Sequence, residues 1–461
     1  MAANDNAGPG PARANFGTKI GAILAAAGSA VGLGNIWRFP FETGNHGGAA
    51  FILIYLACLA LIGLPIMMAE FVIGRHSRAN AAKAYRVLAP GTRWNWLGRM
   101  GILAGFLILS YYSVVAGWTL QYLYQAVTGA LAGRTPEEFI ASYNTFVSNP
   151  WQPAVCLLLF MAGTHFVVAG GVQRGIERSA RILMPVLFVL LLLLAACSVT
   201  LPGAGAGIDF LLKPDFSKVT ADVLLGAMGQ AFFSLSLGLG CLATYASYFR
   251  ADTRLPRAAI NVAAIDTLVA ILAGFMIFPA AFAVGIQPDA GPGLIFITLP
   301  NVFGQAFGHL PALAMTLSIL FYLLLALAAL TSTISQHEMV TVYLHEEFNM
   351  SRSKAARLVS VCALAVGLLC SLSLGVGREL TVFGLTLFDL FDFVTAKIML
   401  PLGGFFISIF VGWKLDRAIV WEELNRGSVF HLYKVFIFLM RFVAPIGIAF
   451  VFVNELGLLK S

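Results

Sequence analysis

The sequence predicts an all-α polytopic membrane protein of about eleven transmembrane helices, built as two five-helix repeats of opposite orientation with helices one and six broken at mid-membrane. Three observations lead there. Of 461 residues, 59% are hydrophobic and only 11% charged, with a mean hydropathy of +0.85, the composition of a membrane-embedded chain. Apolar runs long enough to span lie at about 17–41, 49–73, 100–127, 153–170, 182–201, 223–248, 258–285, 311–344, 356–375, 384–412 and 435–456. Two of them, the first and the sixth, carry the same mid-span interruption, Gly32-Leu33-Gly34 and Gly238-Leu239-Gly240.

Taken in order, residues 1–16 are rich in Ala, Gly, Pro and Asn without an apolar centre, which predicts a short cytoplasmic tail and not a cleaved signal peptide. Residues 17–201 form the first repeat, 202–222 an extracellular loop, 223–412 the second repeat, and 413–461 a cytoplasmic loop with helix eleven. The formal charge of +7 points to topology and not to nucleic acid, because the cations cluster in alternate loops. Arg75, Arg78, Lys83, Arg86, Arg93 and Arg99 follow span two; Arg174, Arg178 and Arg181 follow span four; Arg250, Arg254 and Arg257 follow span six; Arg352, Lys354 and Arg357 follow span eight. Those loops face the cytoplasm by the positive-inside rule, so the N-terminus is expected inside and, with an odd number of spans, the C-terminus outside, in a bacterial inner membrane. The six cysteines fall in apolar runs without metal-ligand spacing and read as packing residues. No nucleophile and base, metal cluster or phosphate loop shares a membrane depth, which argues against an enzyme and an organic cofactor.

The interruption GSAVGLGNIWRFP, residues 28–40, is the most informative stretch. Lipid offers no water to freed backbone groups, each of which costs several kcal/mol unless it faces protein, a cavity or a ligand, and an arginine at that depth is expensive. Glycines also let helices pack closely, but packing alone leaves Asn35 and Arg38 after the first break, and Ser234 and Ser236 before the second, without a reason. Matching breaks in two inverted halves place a transporter's binding site at the midplane.

These motifs, together with NHGGAAF and GLPIMMAE around span two, SYYSVVAGW in span three, GQAFFSLSLGLG and TYASY in span six, FITLP after span seven and LTST in span eight, resemble the neurotransmitter:sodium symporters, in particular their bacterial amino-acid transporters with the leucine-transporter fold. The resemblance covers nearly the whole chain. It implies two sodium ions: one held by the Ala30 carbonyl, Asn35, Ser234, Asp266 and the substrate carboxylate, the other by the carbonyls of Gly28, Val31 and Ala328 with the hydroxyls of Thr331 and Ser332. Taken alone, Thr331 and Ser332 fit back-bonding to carbonyls one turn earlier better than ion binding. Where many relatives, the chloride-dependent animal members among them, carry asparagine, this chain has Asp266, whose charge would replace the chloride; a structural aspartate paired with a cation is the alternative.

An amino-acid zwitterion suits half-helix ends that attract a carboxylate and unwound carbonyls that accept an ammonium. By the resemblance, Tyr112 with the backbone of Leu33 and Gly34 holds the carboxylate, Ala30, Phe233, Ser236 and Ser332 surround the amine, and Ser29 and Ser234 complete the lining. Gly32 stands where monoamine carriers place an aspartate. Ile108, Phe233, Ser236, Leu239 and Gln336 would select the side chain, Leu239 leaving more room than the phenylalanine of the leucine transporter and Gln336 offering a hydrogen bond to a hydroxyl or indole. Arg38 with Asp392 would form the outer gate under a lid of Tyr112 and Phe233. Arg13 with Glu346 would form the inner one, covered by Phe16, Ser247 and Tyr248. Phe16 replaces the family's tryptophan, which implies a weaker latch. Gly175 and Pro185 mark where span five unwinds in the family. Glu70 and Glu338 read as structural hydrogen-bonding groups, and Lys397 as a buried cation snorkelling or paired with Asp392. The implied activity is sodium-coupled import of a neutral, hydrophobic or aromatic L-amino acid by alternating access, independent of chloride. A non-transporting amino-acid sensor is the alternative, and the sequence names neither the amino acid nor an oligomeric state.

Overall fold

The computed structural model describes residues 14–286, 293–308, 310–427 and 429–457. Among the described residues nine helices are long and apolar enough to cross a membrane, and the pair Lys19–Ala30 and Leu33–Asn45, bent by 63°, makes a tenth. The helices Ala221–Ser234 and Cys241–Ala246 lie where the sixth span was expected. Both predicted interruptions are real breaks.

Span two (Ala49–Ser77) is the spine of the broken pair. The first half of span six packs on Ala49–Cys58 and the second on Leu64–Ser77, so one continuous helix holds the two pieces in line. Between them Gly238 and Gly240 adopt φ of +88° and +86°, a left-handed conformation that side chains resist. The freed amides are then satisfied by a carboxylate. Glu70, fully buried, accepts a hydrogen bond from Gly238 N at 2.8 Å and one from Ala243 N at 3.3 Å. This is the structural role expected for Glu70, and it explains how a break survives in lipid. One turn further along, Gly74 lets span two touch span six backbone: a Cβ there would lie 1.9 Å from the Ala243 carbonyl.

The first half of span one packs on span seven (Leu255–Ala283) and span eight (Pro311–Glu347), and span three (Asn95–Val127) lies along span eight. Near the far end of spans three and eight, Trp118, Tyr122, Phe296 and Tyr322 stack at centroid distances of 4.8 to 6.5 Å, and the Tyr322 hydroxyl donates to the Ile295 carbonyl at 3.1 Å. That cluster pins the short apolar helix Leu294–Phe307 to the bundle, an element absent from the sequence reading. Cys362, expected to be a packing residue, is exposed.

The basic loops are tied together by a buried ion pair. Arg75 at the end of span two reaches the Glu423 carboxylate on the helix Arg417–Asn425, donating also to the Glu423 carbonyl at 2.5 Å. Both side chains are 2% exposed. Span five (Val172–Val199) begins ten residues earlier than expected, with a π turn over Val172–Glu177. The Gly175 to Pro185 segment, which the resemblance marks for unwinding, is therefore wound here. At the opposite end of span one, His46 caps its helix, stacks on Phe51 at 5.4 Å, and sets Nδ1 3.2 Å from the Glu42 carboxylate.

A Gly238→Ala substitution is expected to lower thermal stability by at least about 1–2 kcal/mol from the left-handed backbone alone, and by more because its Cβ would sit 2.4 Å from the Leu400 carbonyl; a melting curve of the detergent-solubilised protein checks this. The hydrogen bond to Glu42 raises the His46 pKa above its ordinary value against the opposing effect of burial, with the charges of Glu42 and Asp222 adding to the rise. A raised histidine pKa contributes stability fully present below the unfolded value of about 6.5 and lost as pH rises through the folded value. The melting temperature of His46→Gln should thus fall below wild type at pH 5.5 and approach it at pH 9.

Candidate functional site

Helix one ends at Ala30, and Val31 turns extended, with ψ of 119°. Its carbonyl, released from the helix, meets two hydroxyls from span eight: Ser332 Oγ donates to it at 3.0 Å, and Thr331 Oγ1 lies 3.4 Å away while donating to the Ala328 carbonyl at 2.9 Å. Gly28 faces the same point, since a Cβ on it would lie 3.3 Å from the Thr331 Cβ. Back-bonding by Thr331 therefore exists, and it coexists with a cluster of four oxygens from two helices. A hard cation takes such a set of carbonyls and hydroxyls in place of water.

A second polar cluster lies beside it. Asn35 Oδ1 accepts from Gly32 N at 2.9 Å, and its Nδ2 donates to Asp266 Oδ1 at 2.8 Å, to the Asp266 carbonyl at 3.2 Å and to Ser234 Oγ at 3.3 Å. Ser234 Oγ donates to Asp266 Oδ2 at 2.6 Å. The breaks in spans one and six are thus stitched to span seven through one carboxylate that is 0% exposed. Among the described residues Asp266 makes no ion pair.

Above these clusters the Tyr112 hydroxyl accepts a hydrogen bond from Leu33 N at 3.0 Å. Gly32 is hemmed in: a Cβ would meet Ser332 Oγ at 2.6 Å and the Tyr112 hydroxyl at 3.2 Å, so an aspartate there would displace both. Gly34 faces the Phe233 ring, 3.5 Å from where its Cβ would be. Ser236 holds a left-handed φ of +51°. Ser29 Oγ and Gln336 Oε1 are buried and have no hydrogen-bond partner among the described residues, a cost of about 1–3 kcal/mol each unless something else satisfies them. Ile108 and Leu239 are buried at 8% and 2% exposure. Neither lines the cavity described next, whereas Phe233 does.

A cavity of about 910 Å³ descends from the face opposite the basic loops to Gly34, Tyr112 and Phe233, between walls that carry Arg38, Asp392 and Lys397. Its gate is open. Arg38 lies 4.1 Å over the Phe233 ring and pairs with Glu42 at 3.7 Å and Glu455 at 3.6 Å, not with Asp392, whose carboxylate instead accepts from the Tyr111 hydroxyl at 3.0 Å. The open cavity lies between the two expected partners. Nor do the Tyr112 and Phe233 rings touch among the described residues, so the expected lid is apart. Lys397 also departs from expectation. Its side chain is 42% exposed and pairs with Glu455 at 3.7 Å. A π segment over Phe393–Met399 is the reason: its bonds run five residues apart, which brings position 397 to the face of position 392.

The opposite end is shut. Phe16 is 1% exposed, packs edge-on against Tyr245 and Tyr248 at 6.0 and 5.8 Å, and donates its amide to the Tyr248 carbonyl at 2.9 Å. The Tyr248 hydroxyl in turn donates to Glu338 at 2.7 Å, and Arg352 pairs with the same carboxylate at 2.5 Å. Glu346 accepts from the backbone and side chain of Asn80 at 2.9 and 3.0 Å, while Arg13 lies outside the described residues. Sequence reasoning missed Glu177. Its carboxylate binds Gly17 N at 2.6 Å, Thr18 N at 3.0 Å and the Thr18 hydroxyl at 2.7 Å, clipping the start of span one to the π turn of span five. Its place three residues after the basic Arg174 gave only a solvated-loop signal.

The comparisons agree with this geometry. The chain matches the sodium:neurotransmitter symporter family over residues 13–146 and 141–461. It is 40% identical to the uncharacterized sodium-dependent transporter YhdH of Bacillus subtilis over 448 residues, covering 96% of this chain and 98% of that one. A sodium-dependent transporter of Haemophilus influenzae is 37% identical over 456 residues, with the same coverage. The crystal structure of MhsT in complex with L-phenylalanine superposes with a TM-score of 0.87 at 46% identity, covering 96% of this chain and 100% of MhsT. A bundle of membrane-spanning helices, two breaks capped by polar side chains and these relatives leave one assignment: the chain belongs to the sodium:neurotransmitter symporter family and is a membrane transporter, not an enzyme.

Proposed function

We propose that this protein imports a neutral, hydrophobic or aromatic L-amino acid with two sodium ions, without a need for chloride, by alternating access. The observation that carries the reading is Asp266, a buried carboxylate without a cationic partner among the described residues, stitched to Asn35 and Ser234 at the meeting of both helix breaks. A carboxylate in that position is costly unless a cation joins it. Sodium with the Ala30 carbonyl, Asn35, Ser234 and Asp266 supplies one, and the fixed negative charge does the work of a compensating chloride. The second ion takes the carbonyls of Gly28, Val31 and Ala328 with Thr331 and Ser332, whose oxygens already converge.

For the substrate, the Tyr112 hydroxyl beside Leu33 N is placed to hold a carboxylate, and the crowding at Gly32 disfavours amines that need an aspartate there. MhsT binds L-phenylalanine, and the unpartnered Gln336 Oε1 supports a donor-bearing side chain such as an indole or phenol. The cavity reaching Tyr112 and the shut end at Phe16 give one of the two gated states that alternating access needs. The orientation that follows from the loop charges puts the cavity outside, with the N-terminus cytoplasmic and the C-terminus external, in the inner membrane of a bacterium. The coupling suffices for uphill import. Each charge yields about 2.3 kcal/mol per 100 mV and a tenfold sodium gradient about 1.4 kcal/mol more, so two ions sustain a substrate gradient of about five powers of ten.

Purified protein in liposomes with an inward sodium gradient should accumulate one or more of the hydrophobic or aromatic amino acids when all twenty are presented in radiolabelled form. Saturable binding without accumulation would instead make it a sensor. Replacing external chloride with gluconate should leave uptake unchanged. Asp266→Asn should raise the sodium concentration for half-maximal uptake by about tenfold, a loss of about 1.4 kcal/mol in ion binding; an unchanged sodium dependence removes Asp266 from the site.

A further inference from the structure

Glu455 ends the helix Ala444–Glu455, on the one span that belongs to neither five-helix repeat, and none of the motifs falls on it. Its carboxylate stands between two cations on the cavity wall. Arg38 Nη2 lies 3.6 Å from Oε1, and Lys397 Nζ lies 3.7 Å from Oε2. Arg38 therefore has two alternative sets of carboxylates on different helices. In this structure it uses Glu42 and Glu455, while Asp392 across the cavity is occupied by the Tyr111 hydroxyl.

We propose that Glu455 is a positioning residue of the outer gate: it holds Arg38 away from Asp392 while the cavity is open, and Lys397 sets the strength of that hold by sharing the same carboxylate. The proposal rests on the transport reading above, in which approach of Arg38 to Asp392 closes the outside. The physical argument is one of charge balance. Closing moves Arg38 from Glu455 to Asp392 while Glu42 stays four residues away on its own helix, so Glu455 is left behind in the wall of a narrowing cavity. An abandoned, desolvated carboxylate is strongly unfavourable. Lys397 prevents this because it remains on Oε2 after Arg38 departs, and its half-exposed ammonium can complete the pair without moving far. The number of cation and carboxylate groups in the cluster is the same before and after. The gate can thus switch at low cost, and span eleven becomes part of its energetics.

The signs of the mutational effects follow and are opposite. Glu455→Gln removes the open-state partner and favours closure. Lys397→Met leaves Glu455 undivided for Arg38 and favours the open state. A pair in this half-exposed setting contributes on the scale of about 1 kcal/mol, or about fivefold in the ratio of open to closed protein.

The test uses the full chain in liposomes, with Cys362→Ser to remove the exposed thiol and Ala396→Cys on the cavity wall as reporter. The labelling rate by a membrane-impermeant maleimide is measured in sodium without any amino acid, so that it does not depend on the substrate. Glu455→Gln should label about fivefold more slowly, Glu455→Asp at an intermediate rate, and Lys397→Met faster than the parent. In an Asp392→Asn background the effect of Glu455→Gln should vanish, because the competing partner is gone. Equal rates, or slowing by both Glu455→Gln and Lys397→Met, would overturn the proposal, as would a Glu455→Gln effect that survives Asp392→Asn. Should Glu455→Gln not fold, the Glu455→Asp and Lys397→Met rates still carry the opposed signs. A parent protein that shows no sodium-driven accumulation would instead overturn the transport reading and is recorded separately in the same liposomes.

Discussion

Every feature of the site depends on one constraint: a peptide group freed from a helix inside lipid must find a partner in the protein or in a ligand. Two spans are broken here, and their orphaned groups are met in different ways. In span six the amides after the break are closed off by Glu70 from span two, so that end is finished by the protein itself. In span one the Val31 carbonyl meets, among the described residues, the hydroxyls of Ser332 and Thr331, the latter donating also to the Ala328 carbonyl, and the Gly32 amide donates to the Asn35 side-chain oxygen. The first break is stable enough to fold and, in the function proposed above, offers its remaining lone pairs to a cation. That asymmetry separates scaffold from site.

The same constraint governs the charges. Buried carboxylates recur in this bundle, and each has a distinct solution. Glu338 is neutralised by Arg352 and bound by Tyr248, Glu423 by Arg75, and Glu177 by the first amides of span one. Among the described residues Asp266 alone of these four has neither a cation nor a helix start, and its carboxylate meets the side chains of Asn35 and Ser234. Three of them hold the fold together. The fourth joins the two helix breaks to span seven through Asn35 and Ser234, the place where the proposed function puts an ion.

Much of this was legible in the sequence. Gly-Leu-Gly in two spans announced both breaks, and Glu70 read as structural from its surroundings. What was hidden depends on helix geometry that no periodicity of 3.6 contains. Asp392 and Lys397 are five residues apart, and an α-helix would turn them well away from each other; the π segment between them brings both to the cavity. The early start of span five has the same origin, since the π turn over Val172–Glu177 extends a helix into a stretch whose arginines and glycine resemble a loop. Glu455 was invisible for another reason: its partners lie on spans one and ten, hundreds and tens of residues away, and only the packing of span eleven against span ten joins them.

The two ends of the molecule are closed by different physics, and this bears on how a single ion-binding event can be felt at both. The Phe16 end is sealed by aromatic packing and by Glu177 holding the backbone of span one, contacts that are short-ranged and lost together once that half-helix tilts. At the cavity end the proposed device is exchange of an arginine among carboxylates, in which each pair is weak and replaceable. Span one carries both devices, with Thr18 at one end and Arg38 at the other, and its break lies between them. A cation bound at the break ties Val31 to span eight and Asn35 to span seven, so it fixes the two halves of span one relative to the scaffold at the point where they would otherwise hinge. Ion occupancy can then bias a cooperative latch on one side and a nearly balanced charge switch on the other, without any contact running directly between the two ends.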